Sequence, residues 1–198
     1  SAAQSSRSRQ LDDADDVHMA LGEFLVSFQF VEHLYRQIGW RLNDPAQRTW
    51  PPDSFRKGTN ERLVDSVTDL YVSTVEHHRL PNGAPMVDRM KSAREASHLL
   101  RKKRNVLIHA AYIEMKAGGE FVGYLGSRVV VDPDTGDLDE VTGPISASDI
   151  RLELGPAAKI AFELGLIHVQ LIHWSPYLTG EAVHDGSEWD PREGPRSA

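Results

Sequence analysis

Apolar residues recur at Val17, Leu21, Phe24, Phe28, Val31, Tyr35, Ile38 and Leu42, in alternating steps of four and three. That spacing keeps every member on one face of an α-helix. A second apolar line, Met19, Val26, Phe30 and Leu34, occupies another face, so this helix is expected to meet neighbours on two sides. It is expected to start near Asp12–Asp16, where four aspartates suit the positive end of a helix dipole, and Pro45 stops it. A metal cluster is the sharper reading of those aspartates, and acidic residues at a helix start the plainer one.

A second helix is expected to open near Asn60, with Leu63, Val67, Leu70 and Thr74 on one face, and to end at Pro81-Asn82-Gly83. The adjacent His77 and His78 point about 100° apart on a helix, a poor geometry for one metal ion. The third helix begins around Pro85 and carries Met86, Met90, Ala93, Ser97, Leu100, Arg104, Leu107 and Ala111. Residues 119–142 change period: Phe121, Tyr124 and Val129–Val131 read as two or three short strands, with a turn at Asp132–Gly136. Asp132, Asp134 and Asp137 superficially resemble a calcium loop, but the glycine comes one place early and the closing glutamate is missing. A capping pattern at Ser146–Asp149 announces the last helix. Pro156 is expected to kink or restart it, and its core stripe is Ala157, Ile160, Leu164, Ile167, Leu171, Trp174 and Leu178. His168 and His173 are five apart and share a face poorly.

The pattern therefore predicts a mainly α fold: a helical bundle of about four long helices with a small β-hairpin insert between the third and fourth. The expected organisation is a tail over residues 1–10, one helical domain over 11–178 and a second tail over 179–198, the latter rich in Gly, Pro and charge.

Composition narrows the function. With no cysteine among 198 residues, a thiolate zinc site, a disulfide framework and a cysteine nucleophile are excluded. The polar start SAAQSSRSRQ has no apolar core of a signal peptide, and no apolar run is long enough to cross a membrane. A cytoplasmic location is the expectation. The net charge of −7 argues against a protein that coats nucleic acid with its whole surface. The charge is uneven, however. Residues 86–116 hold eight Lys/Arg against three Asp/Glu, leaving −12 for the rest of the chain. A basic island on an acidic protein suggests a local anion site.

Arg104 is the anomaly within that island, because it stands where the third helix wants an apolar side chain. It opens the run Arg104-Asn105-Val-Leu-Ile-His109. Arg, a polar residue often Asn, three more residues and then His, late in the third helix of an α-bundle, resembles the HEPN superfamily (higher eukaryotes and prokaryotes nucleotide-binding). The resemblance covers roughly residues 13–178, including a mid-helix glutamate, Glu32, in the first long helix.

The resemblance implies metal-independent RNA cleavage with no cofactor and Arg104, Asn105 and His109 as catalytic residues. The residue types suit that chemistry. Histidine can exchange a proton near neutral pH, so His109 could activate a ribose 2′-hydroxyl or protonate the leaving oxygen. A guanidinium can stabilise a phosphorane-like transition state. Asn105, four residues before His109, can orient the imidazole or hold phosphate. Arg101, Lys102 and Lys103 could guide the RNA backbone, and Tyr112 could stack on a base. Arg104 and His109 lie about 140° apart on an ideal helix. Family members commonly resolve this by forming a homodimer whose motif helices face one another. They often act beside an antitoxin-like or nucleotidyltransferase partner, as toxins or antiviral effectors. Plainer readings stay open. Arg104 could be a core arginine paired with Glu32, His109 a helix cap, the basic run a solvated face, and Tyr112 a core residue. A catalytically silent module binding nucleotide, RNA or protein is the alternative function.

Overall fold

The computed structural model describes residues 2–49, 59–131 and 138–182, with side chains from residue 15 onward apart from 120 and 131. The chain is mainly α. Its elements are α1 (Ala2–Asn43), α2 (Asn60–His78), α3 (Gly83–His109), β1 (Ala111–Ala117), β2 (Glu120–Val131), β3 (Leu138–Ile145), α4 (Ala147–Leu152), α5 (Leu154–His173) and α6 (Ser175–Leu178). The strands form one antiparallel sheet in the order β1-β2-β3. The chain divides into two compact units, residues 1–29 with 99–158, and residues 30–98 with 159–198.

In the second unit, four helical segments share a core. Val31, Tyr35 and Ile38 of α1 are buried, as are Val64, Val67 and Tyr71 of α2 and Met90 of α3. From α5 come Ile160, Leu164, Ile167 and Leu171, all members of the predicted stripe. Trp174 closes this core: it is 1% exposed, donates its indole N–H to the Pro81 carbonyl at 3.2 Å and packs its ring 6.2 Å from Tyr71. Thr59 caps α2 by accepting from the Arg62 amide. The buried face of α2 is rotated from the expected one. Val64, Thr68, Tyr71 and Val75 are buried, whereas Leu70 and Thr74 are half-buried, and the Thr74 hydroxyl turns back to the Leu70 carbonyl. A broad apolar set on both sides of Val67 decides the face, and one line of four residues does not capture it.

In the first unit, Val17, Phe24 and Phe28 of α1 are buried, with Tyr124 of β2 and Ile150 of α4. Three expectations change here. The helix reaches back to Ala2, through the expected tail, because Ala, Gln and Arg are good helix formers and nothing breaks the pattern before Gly22. The aspartates around residue 15 therefore sit inside α1 rather than at its start, and Asp16 meets Arg151 instead of a helix end. The β insert begins at Ala111, ahead of the expected 119–142. Its first strand is mostly exposed and so lacks the two-residue alternation that marks a half-buried strand. Gly118 and Gly119, both at positive φ, make the turn into β2. The Asp132–Gly136 turn lies outside the described residues, as do residues 183–198 of the expected C-terminal tail. The last helix breaks at Glu153, so Ser146 caps the short α4 and Pro156 falls in the first turn of α5.

Candidate functional site at the end of the third helix

The buried stripe of α3 runs as predicted from Met90 through Ala93, Ser97 and Leu100. It then fades: Arg104 and Leu107 are half-buried, and Ala111 lies in β1. Arg104 and Asn105 occupy the last two turns of the helix and His109 its final residue.

The Arg104 guanidinium lies 5.8 Å from the centre of the Phe28 ring, a cation–π placement. One terminal nitrogen donates to the Asn105 side-chain oxygen at 3.1 Å. Its Nε is buried and has no hydrogen-bond partner among the described residues. Phe28 thus answers, in part, the cost of placing a cation in an apolar stripe. Glu32, the candidate partner from sequence, is engaged elsewhere: its carboxylate accepts from Arg36 at 3.2 Å and from Asn60 at 3.0 Å.

His109 is exposed, and among the described residues no hydrogen bond holds its imidazole. Asn105 is exposed too, and its oxygen accepts from Arg104 rather than serving His109. Of the basic run, Arg101 is half-buried and Lys102 exposed. Lys103, though largely exposed, pairs with Glu153 at 3.0 Å.

Tyr112 is not an open stacking platform. Its hydroxyl donates to the Leu107 carbonyl at 2.8 Å, and its ring meets Tyr124 edge-on at 6.1 Å. Leu107 is among the last four residues of α3, whose carbonyls have no helical partner, so Tyr112 fastens the helix end that bears His109. Burial pushes the Tyr112 phenol above its usual range.

The second unit holds a polar cluster that sequence reasoning missed. Asp65 of α2 accepts from Arg94 at 2.7 Å and lies 2.9 Å from the His98 Nε2, both on α3. Burial pushes the Asp65 carboxyl up, but the bonds from His98 and Arg94 outweigh it and hold it below the usual range. Arg94 and His98 are four apart and share a helix face, but nothing in the sequence ties them to a residue about thirty positions earlier. Beside them, the buried Tyr35 hydroxyl meets Ser97 at 3.1 Å, and burial pushes that phenol up to about 12. No group of three or more His, Asp or Glu side chains with metal-binding geometry occurs among the described residues, and none of the described helices is long and apolar enough to cross a membrane. In comparisons with family models, curated proteins and solved structures, the chain matches none.

Proposed function

We propose that this chain is a metal-independent endoribonuclease of HEPN type, acting as a homodimer in a toxin or antiviral role. The observation that carries the reading is Arg104: a half-buried guanidinium with an unsatisfied Nε, held by Phe28 and Asn105, within one helical turn and a half of an exposed histidine. Such a group is costly as mere packing and suits an oxyanion that completes its hydrogen bonds.

In this mechanism the nucleophile is the RNA's own 2′-hydroxyl. His109 accepts its proton as the 2′-oxygen bonds to phosphorus, and the P–O5′ bond breaks as the leaving 5′-oxygen takes a proton from water. Arg104 stabilises the added negative charge, and Arg101, Lys102 and Lys103 steer the backbone. The products are a 2′,3′-cyclic phosphate and a 5′-hydroxyl. Since Arg104 and His109 diverge by about 140° on one helix, a second copy supplies the opposing half of the cleft. Exposed apolar surface supports that partner: Phe162, Leu166, Val169 and Ile172 line one face of α5, and Phe162 is 64% exposed. On α1, Met19, Val26 and Phe30 of the second apolar line are also exposed. An antitoxin-like or nucleotidyltransferase partner belongs to the same proposal.

One observation favours the alternative of a catalytically silent binding module: Asn105 bonds Arg104 and leaves His109 unoriented. A pair of oligonucleotides separates the two. The endoribonuclease cuts a mixed-sequence RNA in EDTA and leaves the same strand intact when every ribose is 2′-deoxy. A silent module binds without cutting either.

A further inference from the structure

Arg104 is held from two sides, by a ring on α1 and by its own neighbour on α3. Its guanidinium carbon stands 5.8 Å from the centre of the Phe28 ring. That ring is itself seated against Phe24, 6.4 Å away centre to centre and tilted by 42°. Phe28 is 5% exposed and Phe24 fully buried, so the ring beneath the cation has no room to swing away. The negative face of an aromatic ring attracts a cation, and the exclusion of water strengthens the attraction.

The three guanidinium nitrogens are therefore unequal. Nη1 donates to the Asn105 side-chain oxygen at 3.1 Å. Nε is buried without a partner among the described residues. Nη2 is neither a buried orphan nor hydrogen-bonded among the described residues, which leaves it to meet an incoming oxygen. A long arginine side chain ordinarily samples many rotamers, and fixing it in advance spares that loss of freedom when a substrate arrives. Asn105 spends its oxygen on this hold.

We propose that Phe28 is a positioning residue for the cleavage reaction: backed by Phe24 and aided by Asn105, it holds the Arg104 guanidinium so that Nη2 faces the scissile phosphate. The inference rests on the ribonuclease reading above. It gives Asn105 a task other than orienting His109, and it places part of the site on α1, outside the helix that carries the motif.

The obvious variant, Phe28→Ala, opens a hole beside Phe24 and tests packing more than position. Site-specific replacement of Phe28 by 3,5-difluorophenylalanine and by pentafluorophenylalanine keeps the ring nearly the same shape and progressively withdraws negative charge from its face. Cleavage of a mixed-sequence RNA in EDTA should slow progressively along this series, by roughly 2- to 30-fold for the pentafluoro ring, in kcat rather than KM. In an Arg104→Met background the same replacements should slow cleavage no further, because the residue they act through is gone. Asn105→Ala should likewise slow the wild type but not Arg104→Met, and should leave the His109 midpoint of the pH–rate profile in place. A fluorinated series that cuts as fast as wild type, or losses that persist undiminished in the Arg104→Met background, overturns the proposal. A shifted midpoint in Asn105→Ala would return Asn105 to His109 and overturn its share. A wild-type protein that cuts no RNA defeats the ribonuclease reading and this role with it, whereas cutting that is indifferent to fluorination defeats this role alone.

Discussion

The Arg104 guanidinium rests over the Phe28 ring at 5.8 Å, in a stripe whose other members are all uncharged, with its Nε unsatisfied among the described residues. Stability and function should therefore pull in opposite directions at this position. Replacing a poorly satisfied, half-buried cation with an apolar side chain of similar length is often neutral or stabilising. Arg104→Met is expected to keep or raise the melting temperature while RNA cleavage falls roughly 10²–10³-fold, the usual worth of a donor at a developing oxyanion. Parallel melting and kinetic measurements check this; a large loss of stability would make Arg104 a structural residue.

Trp174 closes the second unit through Pro81 and Tyr71. Trp174→Ala is expected to cost about 3–5 kcal/mol, as large-to-small changes of buried aromatics do. Trp174→Phe keeps most of the contact, loses only the indole bond and costs about 1–2 kcal/mol. Urea denaturation of the three proteins gives both numbers.

His168 sets a pH dependence. Burial lowers its pKa, with Arg41 and His33 adding to the effect, and its Nε2 has no hydrogen-bond partner among the described residues. The folded pKa then lies below the unfolded value of about 6.5, so as pH falls through that value the unfolded chain binds more protons. Stability should drop on going from pH 7.5 to 5.5, and His168→Leu should flatten that segment of the melting profile. Asp65, whose folded pKa is also depressed, acts in a separate window. Its contribution is present above the usual carboxylate pKa of about 4 and is lost as pH falls through the lower folded value. Asp65→Asn should therefore lower stability at neutral pH and flatten the acid limb.

The exposed face of α5 predicts an oligomer-breaking variant. With Phe162 and Val169 both changed to serine, light scattering should move from the mass of a pair of chains to that of one, 22.1 kDa. Cleavage should fall with it, while circular dichroism stays the same. A wild-type protein that is already monomeric would remove the two-chain cleft.

The long helices were legible because burial repeats along them: Val17, Phe24, Phe28, Val31, Tyr35 and Ile38 follow the seven-residue rhythm and are all buried. The start of α1 and the strand Ala111–Ala117 were not, since the first has a polar sequence without an apolar repeat and the second is mostly exposed. At the candidate site, Arg104 declared itself by interrupting a stripe. Its actual support did not: Phe28 lies on another helix, and the pairing with Glu32 inferred from position gave way to Arg36 and Asn60. Tyr112 was legible as a residue near the motif, but its role as a fastener of the helix end depends on a single bond to Leu107. Contacts of this kind are set by where helices meet, and one helix's periodicity carries no record of them.

The most direct test of the central claim is the rate at which 2′,3′-cyclic phosphate ends appear when matched preparations of wild type and His109→Ala meet a mixed-sequence RNA in EDTA. The account predicts a loss of roughly 10²–10⁴-fold in the variant, the range for a positioned proton-transfer group, with unchanged melting. Equal rates from the two proteins would contradict it.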